Sequence, residues 1–342
     1  METSAGICLR PFDSAVEEGY RRLFPGEPDK AQDLLEWRFR DNPHGPAKFA
    51  VATEGGDVVG MIALVPTSLV NAPGEHGYQA IDTAVHPSQR GKGLFVQMGK
   101  TAQAELGGDV LWGFPNANAA PGWYGRLGWT NFGAAPLLMR PLRARFVLGR
   151  LHPRLRVFDF ALVRARKMDA HVYNDGRELA LDFDALWQSV APRLGIAVNR
   201  SGSWMRWRLF GKPGANYRCV GIRGERGGLK AFVATKVADK HGARLCYVME
   251  AIALDGHQTD LTHLLQAELG RASRGGAEAA LAWCPRFAPN RSAYRRAGFV
   301  PVPERLRPIE INFGAIALRT KSRPAAASDA KWYVSFLDSD TN

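Results

Sequence analysis

The sequence lacks a long hydrophobic run and a dense set of cysteines. No stretch of its 342 residues approaches the roughly 18 to 20 uncharged apolar residues that a membrane span requires. The first residues show no basic region followed by an apolar core, so we expect no secretory signal and a cytoplasmic location. The four cysteines have neither CxxC nor Cys/His ligand spacing, so we expect buried thiols, no disulfide framework and no metal.

Acidic residues are few relative to basic ones. Lys and Arg number 45 against 33 Asp and Glu, which gives a formal net charge of +12. This excess favours a polyanionic partner such as nucleic acid, a membrane surface or a phosphate-rich small ligand. Nine of the basic residues, against one acid, lie between Arg140 and Lys167. The interleaved apolar residues are compatible with a membrane-surface or partner helix, but we favour a packed connector with a solvated basic face.

The sequence contains one pattern twice. Residues 124–129 read YGRLGW and residues 294–299 read YRRAGF, an offset of 170. The same offset relates three further pairs: Trp37 and Trp207, Pro43 and Pro213, Pro115 and Pro285. Four landmarks in one register indicate two copies of one domain.

Each copy predicts the order strand, strand, strand, helix, strand, helix, which is typical of an α/β (α+β) domain with a mixed sheet. We therefore predict two such domains in tandem. The expected boundaries are an N-terminal domain over 1–141, a basic connector over 142–185, a C-terminal domain over 186–315 and a tail over 316–342.

The most informative segment is Arg90-Gly91-Lys92-Gly93, which lies between a predicted strand and an amphipathic helix. Glycines at such a turn allow successive backbone N–H groups to point outward, and the helix N-terminus adds partial positive charge. The two basic side chains add formal charge. The segment therefore predicts an anion site.

With Leu94 and Phe95, this segment resembles the signature Arg/Gln-x-x-Gly-x-Gly/Ala of the GNAT superfamily of acyl-CoA-dependent N-acyltransferases, except that Phe95 replaces the last small residue. The resemblance implies an enzyme with a splayed sheet, acyl-CoA as co-substrate, and Tyr124 as the general acid that protonates the departing thiolate. The cofactor-binding residues that it implies are Ala84, Val85, Arg90, Gly91, Lys92, Gly93, Leu94, Phe95 and Asn116.

The second copy keeps the motif at 294–299 that corresponds to residues 124–129. In place of the basic residues expected in a phosphate-binding loop, it has Asp255 and Asp260. Like-charge repulsion disfavours phosphates there. We therefore predict one CoA site, in the N-terminal copy, with the C-terminal copy shaping the acceptor pocket.

Acyl transfer to an amine needs a neutral nucleophile, so a base or a water must accept the proton of an ammonium group. Asp82, on the predicted central strand, is our first candidate, and Glu250 lies on the corresponding strand of the second copy. His86 and Glu36 are further candidates, and a bound water remains an alternative.

The whole chain also resembles a tandem GNAT group associated with bacterial surface-polysaccharide pathways. The resemblance is carried by Glu36-Trp37-Arg38-Phe39, Asn42-Pro43-His44-Gly45, Gly113-Phe114-Pro115-Asn116 and Asp338-Ser339-Asp340. It implies acetyl or short hydroxyacyl transfer, by direct attack in a ternary complex, to a nucleotide-linked amino sugar. A nucleotide diphosphate would use arginines and a stacking aromatic. The predicted acceptor-binding residues are Glu36, Trp37, Arg38, Trp207 and Arg208, beside Trp204 and Arg206.

Two other functions stay open. An acyltransferase of the same superfamily could act on a protein or peptide amine. A basic module without catalysis could hold nucleic acid through the connector, but no nucleic-acid-binding motif accompanies the basic run, so we expect no nucleic-acid partner. The sequence is compatible with a homodimer.

Overall fold

The computed structural model describes residues 6–25, 31–164, 166–214, 216–225, 227–307 and 311–339. The chain divides into two compact units. The first comprises the described residues of 1–134, 211–213 and 310–330, and the second comprises those of 135–210, 214–309 and 331–342.

The described residues form fifteen strands and eight α-helices. The strands are β1 (Gly6–Pro11), β2 (Lys48–Glu54), β3 (Asp57–Val70), β4 (His76–Val85), β5 (Val110–Gly113), β6 (Thr130–Ala134), β7 (Leu137–Pro141), β8 (His171–Tyr173), β9 (Ala197–Val198), β10 (Tyr217–Arg223), β11 (Leu229–Lys240), β12 (Ala243–Ala253), β13 (Ala279–Trp283), β14 (Val300–Pro301) and β15 (Asn312–Ala317). The helices are α1 (Ser14–Leu23), α2 (Gln32–Phe39), α3 (Leu94–Glu105), α4 (Ala144–Leu151), α5 (Gly176–Val190), α6 (Gly202–Arg206), α7 (Gln258–Arg274) and α8 (Arg291–Arg296).

The sheet of the first unit has helices on both faces, which explains its long apolar strands. Its strand order is β1-β2-β3-β4-β5-β15-β6, and β4 and β5 form its parallel pair. Successive residues of a strand point to opposite faces. Met61 and Ala63 of β3 accordingly join the core beneath α1 and α2, whereas Ile62 and Leu64 join the core beneath α3. Because both faces are covered, β3 is apolar at nearly every position.

The second unit repeats this plan. Its sheet has the order β14-β7-β13-β12-β11-β10-β8, with β12 and β13 as the parallel pair. Helix α7 follows β12 as α3 follows β4. The predicted fold class is therefore confirmed: two mixed α/β halves, each a sheet flanked by helices.

The domain boundaries expected from the repeat require correction, because the halves exchange strands. β7, which lies within the predicted domain 1–141, pairs with β13 in the second sheet. β15, which spans the predicted boundary at 315, pairs with β5 and β6 in the first sheet. The predicted connector supplies β8 and most of α5 to the second unit, and the predicted tail contributes to both units. A strand's own residues do not encode which sheet it joins.

Three of the four cysteines are buried. Cys219, Cys246 and Cys284 are buried free thiols, whereas Cys8 is exposed, so the expectation of buried thiols is wrong for Cys8. No helix within the described ranges has the length and hydropathy that crossing a membrane requires.

Candidate active site

The parallel strands β4 and β5 separate at one end of the first sheet. Their pairing ends at Ala80, opposite Gly113. β4 continues to Val85 and stays paired with β3 on its other side. Residues 81–85 therefore present one backbone edge that β5 does not pair with. Ala84 and Val85, which the family resemblance implies to be cofactor-binding residues, lie on this edge.

A glycine-rich turn leads from β4 into α3. Gly91 and Gly93 have φ values of +82° and +75°, in the left-handed region that favours glycine. Gly93 is the N-cap residue of α3, and no side chain of the described residues caps the helix. The first N–H groups of α3 therefore have neither an intrahelical acceptor nor a side-chain cap. With the exposed Arg90 and Lys92 beside them, they have the chemistry that a phosphate group would need.

Leu94 and Phe95 direct their side chains into the first unit. Leu94 belongs to the core beneath α3. The ring centroid of Phe95 lies 5.2 Å from that of Trp123 in an edge-to-face contact. The same ring contacts the space that a side chain at Gly122 would occupy. Phe95 thus packs the start of α3 against the turn that carries Tyr124.

Tyr124 lies in a π-helical turn, Pro121–Arg126, and packs against β15. A Cβ added at Gly314 would lie 2.5 Å from Cε1 of Tyr124 and 3.1 Å from its hydroxyl oxygen. Gly314 pairs with Gly113, the last residue of β5 that pairs with β4. The Tyr124 hydroxyl is therefore held next to the point where β4 and β5 separate.

The Tyr124 hydroxyl has the chemistry of a proton donor. It is buried and has no hydrogen-bond partner within the part of the chain that the structure describes. Burial raises the pKa of Tyr124 to about 12, because the charged phenolate is poorly solvated there. The group is thus neutral at pH 7 and can donate a hydrogen bond to a bound ligand.

Asp82 is the extra residue of a bulge in β4. Its φ is +41°, and the pairing of β3 with β4 shifts register at this point. Its Oδ2 accepts hydrogen bonds from the Tyr20 hydroxyl at 2.5 Å and from Arg38 Nη1 at 3.0 Å. The Asp82 and Arg38 side chains are only 12% and 9% exposed. Asp82 is therefore held by Tyr20 and Arg38 at the start of the β4 segment that β5 leaves unpaired.

The predicted acceptor residues of α2 contact the chain itself. Arg38 is the ion-pair partner of Asp82. Trp37 is buried, and Lys212 Nζ lies 5.7 Å from its ring centroid. The structure thus corrects the prediction for Trp37 and Arg38, which stabilise the first unit instead of facing a ligand. Glu36 is partly exposed and pairs with Arg40 at 2.8 Å, and its acceptor role stays a prediction.

Two other predicted residues have turn-forming side chains. Asn116 Oδ1 accepts from the backbone N–H groups of Asn118 and Ala119 at 3.1 and 3.0 Å. His86 Nδ1 lies 2.7 Å from the Ser88 hydroxyl. Asn116 therefore shapes the loop after β5, and its predicted contact with the cofactor stays a prediction.

Glu250 lies in an enclosed charge cluster of the second unit. Arg200 places Nε 2.9 Å from Glu250 Oε2 and Nη2 2.7 Å from Asp338 Oδ2, and all three side chains are at most 1% exposed. The Tyr333 hydroxyl donates to Glu250 Oε1 at 2.6 Å. The prediction that Glu250 is a catalytic base is therefore corrected, because Arg200 neutralises its carboxylate in a site closed to solvent.

Arg208 binds the C-terminal segment of its own chain. Its Nε donates to the Leu337 carbonyl oxygen at 2.9 Å and its Nη2 to the Ser339 carbonyl oxygen at 2.7 Å. Because Arg208 is buried and holds these carbonyls, its predicted role as a phosphate ligand is corrected. Trp207 is half-buried, and its acceptor role stays a prediction. Asp340, part of the acidic end noted in the sequence, lies outside the described residues.

The same segment packs against strands β12 and β13 of the second unit. β12 pairs with β13 as far as Val248 and continues past Glu250. The Phe336 ring lies 5.3 Å from Tyr247 of β12 and stacks 4.7 Å from Trp283 of β13, measured between centroids. Aromatic side chains of the chain thus pack against the strand pair that corresponds to β4 and β5.

Two acidic residues lie at the N-terminal end of α7, the helix that follows β12. Asp255 pairs with Arg193 at 2.6 Å, and Asp260 lies 2.7 Å from His257 Nδ1. Carboxylates at the N-terminus of α7 compete for the position that a phosphate would take. The second unit therefore lacks, in its described residues, the cationic turn that precedes α3.

Sequence reasoning missed Tyr20 and Gly314. Tyr20 reads as a core aromatic of an amphipathic helix, and nothing in its neighbours indicates a hydrogen bond to Asp82. Gly314 is one of 36 glycines and lies 190 residues after Tyr124 in the chain. Their roles follow only from the strand pairing.

Comparisons with known proteins agree with this geometry. Residues 18–132 match the family model described as an acetyltransferase (GNAT) domain. No curated protein matches the sequence. Among solved structures, the GCN5-related N-acetyltransferase from Anabaena variabilis has a TM-score of 0.65 at 10% identity, covering 94% of this chain and 75% of that one.

Two further structures are similar over nearly the whole chain. Saccharomyces cerevisiae N-myristoyltransferase with bound myristoyl-CoA gives a TM-score of 0.60 at 10% identity, covering 92% of this chain and 83% of that one. A probable N-acyltransferase from Enterococcus faecalis gives 0.62 at 12% identity, covering 95% and 75%. At these identities the likeness concerns the fold.

The first unit thus carries a GNAT acetyltransferase domain. The match over residues 18–132 supports the expectation of an acyl-CoA-dependent enzyme, and the solved structures support its fold. Among the residues that the structure describes, no cluster of three His, Cys, Asp or Glu side chains is arranged to hold a metal ion.

Proposed function

We propose that the first unit binds one acyl-CoA in the gap between β4 and β5 and transfers its acyl group to the amine of a small acceptor. The observation that carries this proposal is the convergence of three features. The unpaired edge of β4, the uncapped N-terminus of α3 and the Tyr124 hydroxyl all belong to the region where β4 and β5 separate.

The residues of this region fit the chemical groups of acyl-CoA. The N–H groups of residues 91–95, with Arg90 and Lys92, would hold the pyrophosphate. The edge at Ala84 and Val85 would hydrogen-bond the amide groups of the pantetheine arm, in the manner of an added strand. The second unit offers a poorer fit, because Asp255 and Asp260 lie at the N-terminal end of its corresponding helix and Phe336 packs against the corresponding strands.

When bound, acyl-CoA supplies a thioester carbonyl carbon that a neutral amine attacks. Tyr124 donates its proton to the departing thiolate sulfur, which its neutral state at pH 7 allows. Asp82 accepts a proton from the ammonium group of the acceptor, directly or through a water, and so produces the neutral amine that attacks. Its location on the bulge of β4 supports this assignment, and Tyr20 and Arg38 fix the carboxylate.

We propose a nucleotide-linked amino sugar as the acceptor and acetyl or a short hydroxyacyl group as the donor, on the strength of the sequence resemblance. Trp37, Arg38 and Arg208 are enclosed, so this proposal assigns them no acceptor contact. An amine on a peptide or protein is the alternative. The Saccharomyces cerevisiae N-myristoyltransferase, a structural relative with bound myristoyl-CoA, adds a long-chain donor to the set that should be tested.

The test is a matrix of donors and acceptors with release of free thiol as readout. The donors are acetyl-, hydroxybutyryl- and myristoyl-CoA, and the acceptors are nucleotide amino sugars, free amino sugars and peptides with a free N-terminus. We expect turnover with nucleotide amino sugars and short donors. Turnover confined to peptides would show that the acceptor is a peptide amine and not a nucleotide amino sugar. Absence of transfer to every amine would overturn the catalytic proposal.

The CoA site is tested separately by calorimetry. Arg90→Ala combined with Lys92→Ala should weaken CoA binding about tenfold or more, because each lost charge–phosphate contact is worth about 1 kcal/mol or more. Lys100→Ala combined with Arg295→Ala removes the same charge from exposed positions elsewhere and should leave binding unchanged. A stoichiometry of two CoA per chain would contradict the restriction to the first unit.

A further inference from the structure

The first part of the basic connector belongs to the second unit and is called the basic lobe below (the described residues of 142–167). Its base is held by backbone hydrogen bonds: the Ala144 N–H donates to the Phe160 carbonyl oxygen and the Leu162 N–H to the Leu142 carbonyl oxygen, both at 2.8 Å. Phe146 is buried on the inner side of α4. The lobe is therefore an ordered element whose remaining surface is available to a partner.

Exposed apolar side chains are concentrated on this lobe. Of the ten large apolar side chains that are exposed in the described residues, six lie within 147–162, with exposures between 40% and 78%. These are Val147, Leu151, Val157, Phe158, Phe160 and Leu162. Val147 and Leu151 are four residues apart and share one face of α4. Soluble surfaces rarely group such residues without a binding role.

The cations of the lobe fall into two groups. Arg143, Arg145 and Arg156 pair with the two carboxylates at the base, Asp159 and Glu278. A second group has no ion pair with any described residue: Arg150, Arg154, Arg164, Arg166 and Lys167. The exposed apolar side chains therefore lie among cations whose charge is not neutralised by the protein.

We propose that the basic lobe binds the surface of an anionic lipid bilayer. The apolar side chains would enter the boundary between headgroups and acyl chains, and the unpaired arginines would meet lipid phosphates. A binding mode of this kind needs both groups in one element. Membrane binding by the lobe would place the proposed acyl transfer at a bilayer surface. The membrane proposal does not depend on the proposed acyl transfer.

Two other occupants fit the lobe less well. A nucleic acid would use the arginines but has no place for exposed Leu151 and Val157, since phosphate contacts are made by cations and base stacking by planar groups. A second copy of the same lobe would bury the apolar side chains but bring two sets of unpaired cations together. A bilayer with anionic headgroups satisfies both features.

Vesicle co-sedimentation of the full chain tests the proposal. The vesicles are phosphatidylcholine alone and an equal mixture of phosphatidylcholine and phosphatidylglycerol. We expect binding to the anionic vesicles only. Leu151→Ser with Val157→Ser and Phe158→Ser should lower binding at least about tenfold by loss of apolar insertion, and Arg154→Gln with Arg164→Gln should lower it about fivefold for each charge removed.

Matched variants separate these effects from general surface changes. Leu181→Ser with Leu306→Ser removes exposed apolar groups elsewhere, and Arg295→Gln with Arg305→Gln removes exposed charge elsewhere; both should bind vesicles like the wild type. Transfer between soluble substrates without vesicles should be the same in every variant. Failure of the wild type to bind anionic vesicles overturns the proposal. Preferential binding to a DNA duplex also overturns it, and so does a monomer–dimer equilibrium that the serine variant abolishes.

Discussion

The ring of Tyr124 packs on Gly314, so that any side chain at position 314 would place its Cβ 2.5 Å from Cε1 of the ring. The two residues are far apart in the chain and meet because β15 pairs with β5. Gly314 therefore acts as a positioning residue for the proposed general acid. The pairing of β15 with β5 thus positions the proposed general acid.

Gly314→Val should lower kcat about a hundredfold, since it displaces the Tyr124 hydroxyl by a distance comparable to a bond length. Michaelis constants for acyl-CoA should change little, because the turn at Gly91 and Gly93 is untouched. Gly125→Ala is the control: it lies on the same turn with open space around it. Equal kcat in the Gly314 variant and the wild type would rule out the positioning role.

Tyr124→Phe should lower kcat about a hundredfold or more through loss of proton donation. The penalty should shrink for an acyl thioester whose thiol is more acidic than that of CoA, because such a leaving group needs no proton. Since the pKa of Tyr124 is about 12, its titration should cause no alkaline loss of kcat between pH 7 and 10. A penalty independent of the leaving thiol would assign Tyr124 a packing role.

Asp82→Asn should lower kcat/KM at neutral pH and leave much of it at alkaline pH, where the acceptor amine is already neutral. The measurement is the pH profile of kcat/KM. Asp109→Asn is the control, because Asp109 is a buried carboxylate of the same unit, 3.0 Å from Lys321 Nζ. An unchanged profile in the Asp82 variant would favour water as the base.

His44 should make the first unit less stable in acid. Burial lowers the pKa of His44 to about 4, and its Nδ1 accepts from the Ser68 N–H at 3.1 Å. Because the folded pKa lies below the unfolded value of about 6.5, this contribution is complete above pH 6.5 and is lost as the pH falls towards 4. Its full size is up to about 3 kcal/mol. His44→Gln should remove this part of the pH dependence in urea unfolding, whereas an unchanged dependence would refute the assignment.

Arg200→Met should destabilise the second unit by about 3 to 5 kcal/mol, because it leaves Glu250 and Asp338 buried without their counter-ion. Urea or thermal unfolding measures the loss. Adding Glu250→Gln and Asp338→Asn should recover part of it. CoA affinity of the folded variant should equal that of the wild type, and a large change would place the second unit in the CoA site.

Features encoded by neighbouring residues were predictable. The turn Arg90–Gly93, the amphipathic α3 and the closing turn at Tyr124 each occupy a few consecutive positions, and the offset of 170 exposed the repeat. The uses of Arg38 and Arg208 were not predictable. A Trp-Arg pair at corresponding positions reads alike in both copies, yet Arg38 meets a carboxylate of β4 while Arg208 meets carbonyls of the C-terminal segment.

The sequence by itself determined the fold class, the duplication and the glycine-rich turn before α3. Each of these depends on the spacing of glycines or apolar residues that are close together in the chain, or on a pattern repeated along it. The tertiary structure alone decided which strands joined which sheet, that Glu250 was sealed by Arg200, that Gly314 made room for Tyr124, and that the connector left its apolar side chains exposed. Each of these depends on contacts between residues far apart in the chain, and such contacts are fixed only when the sheets are assembled.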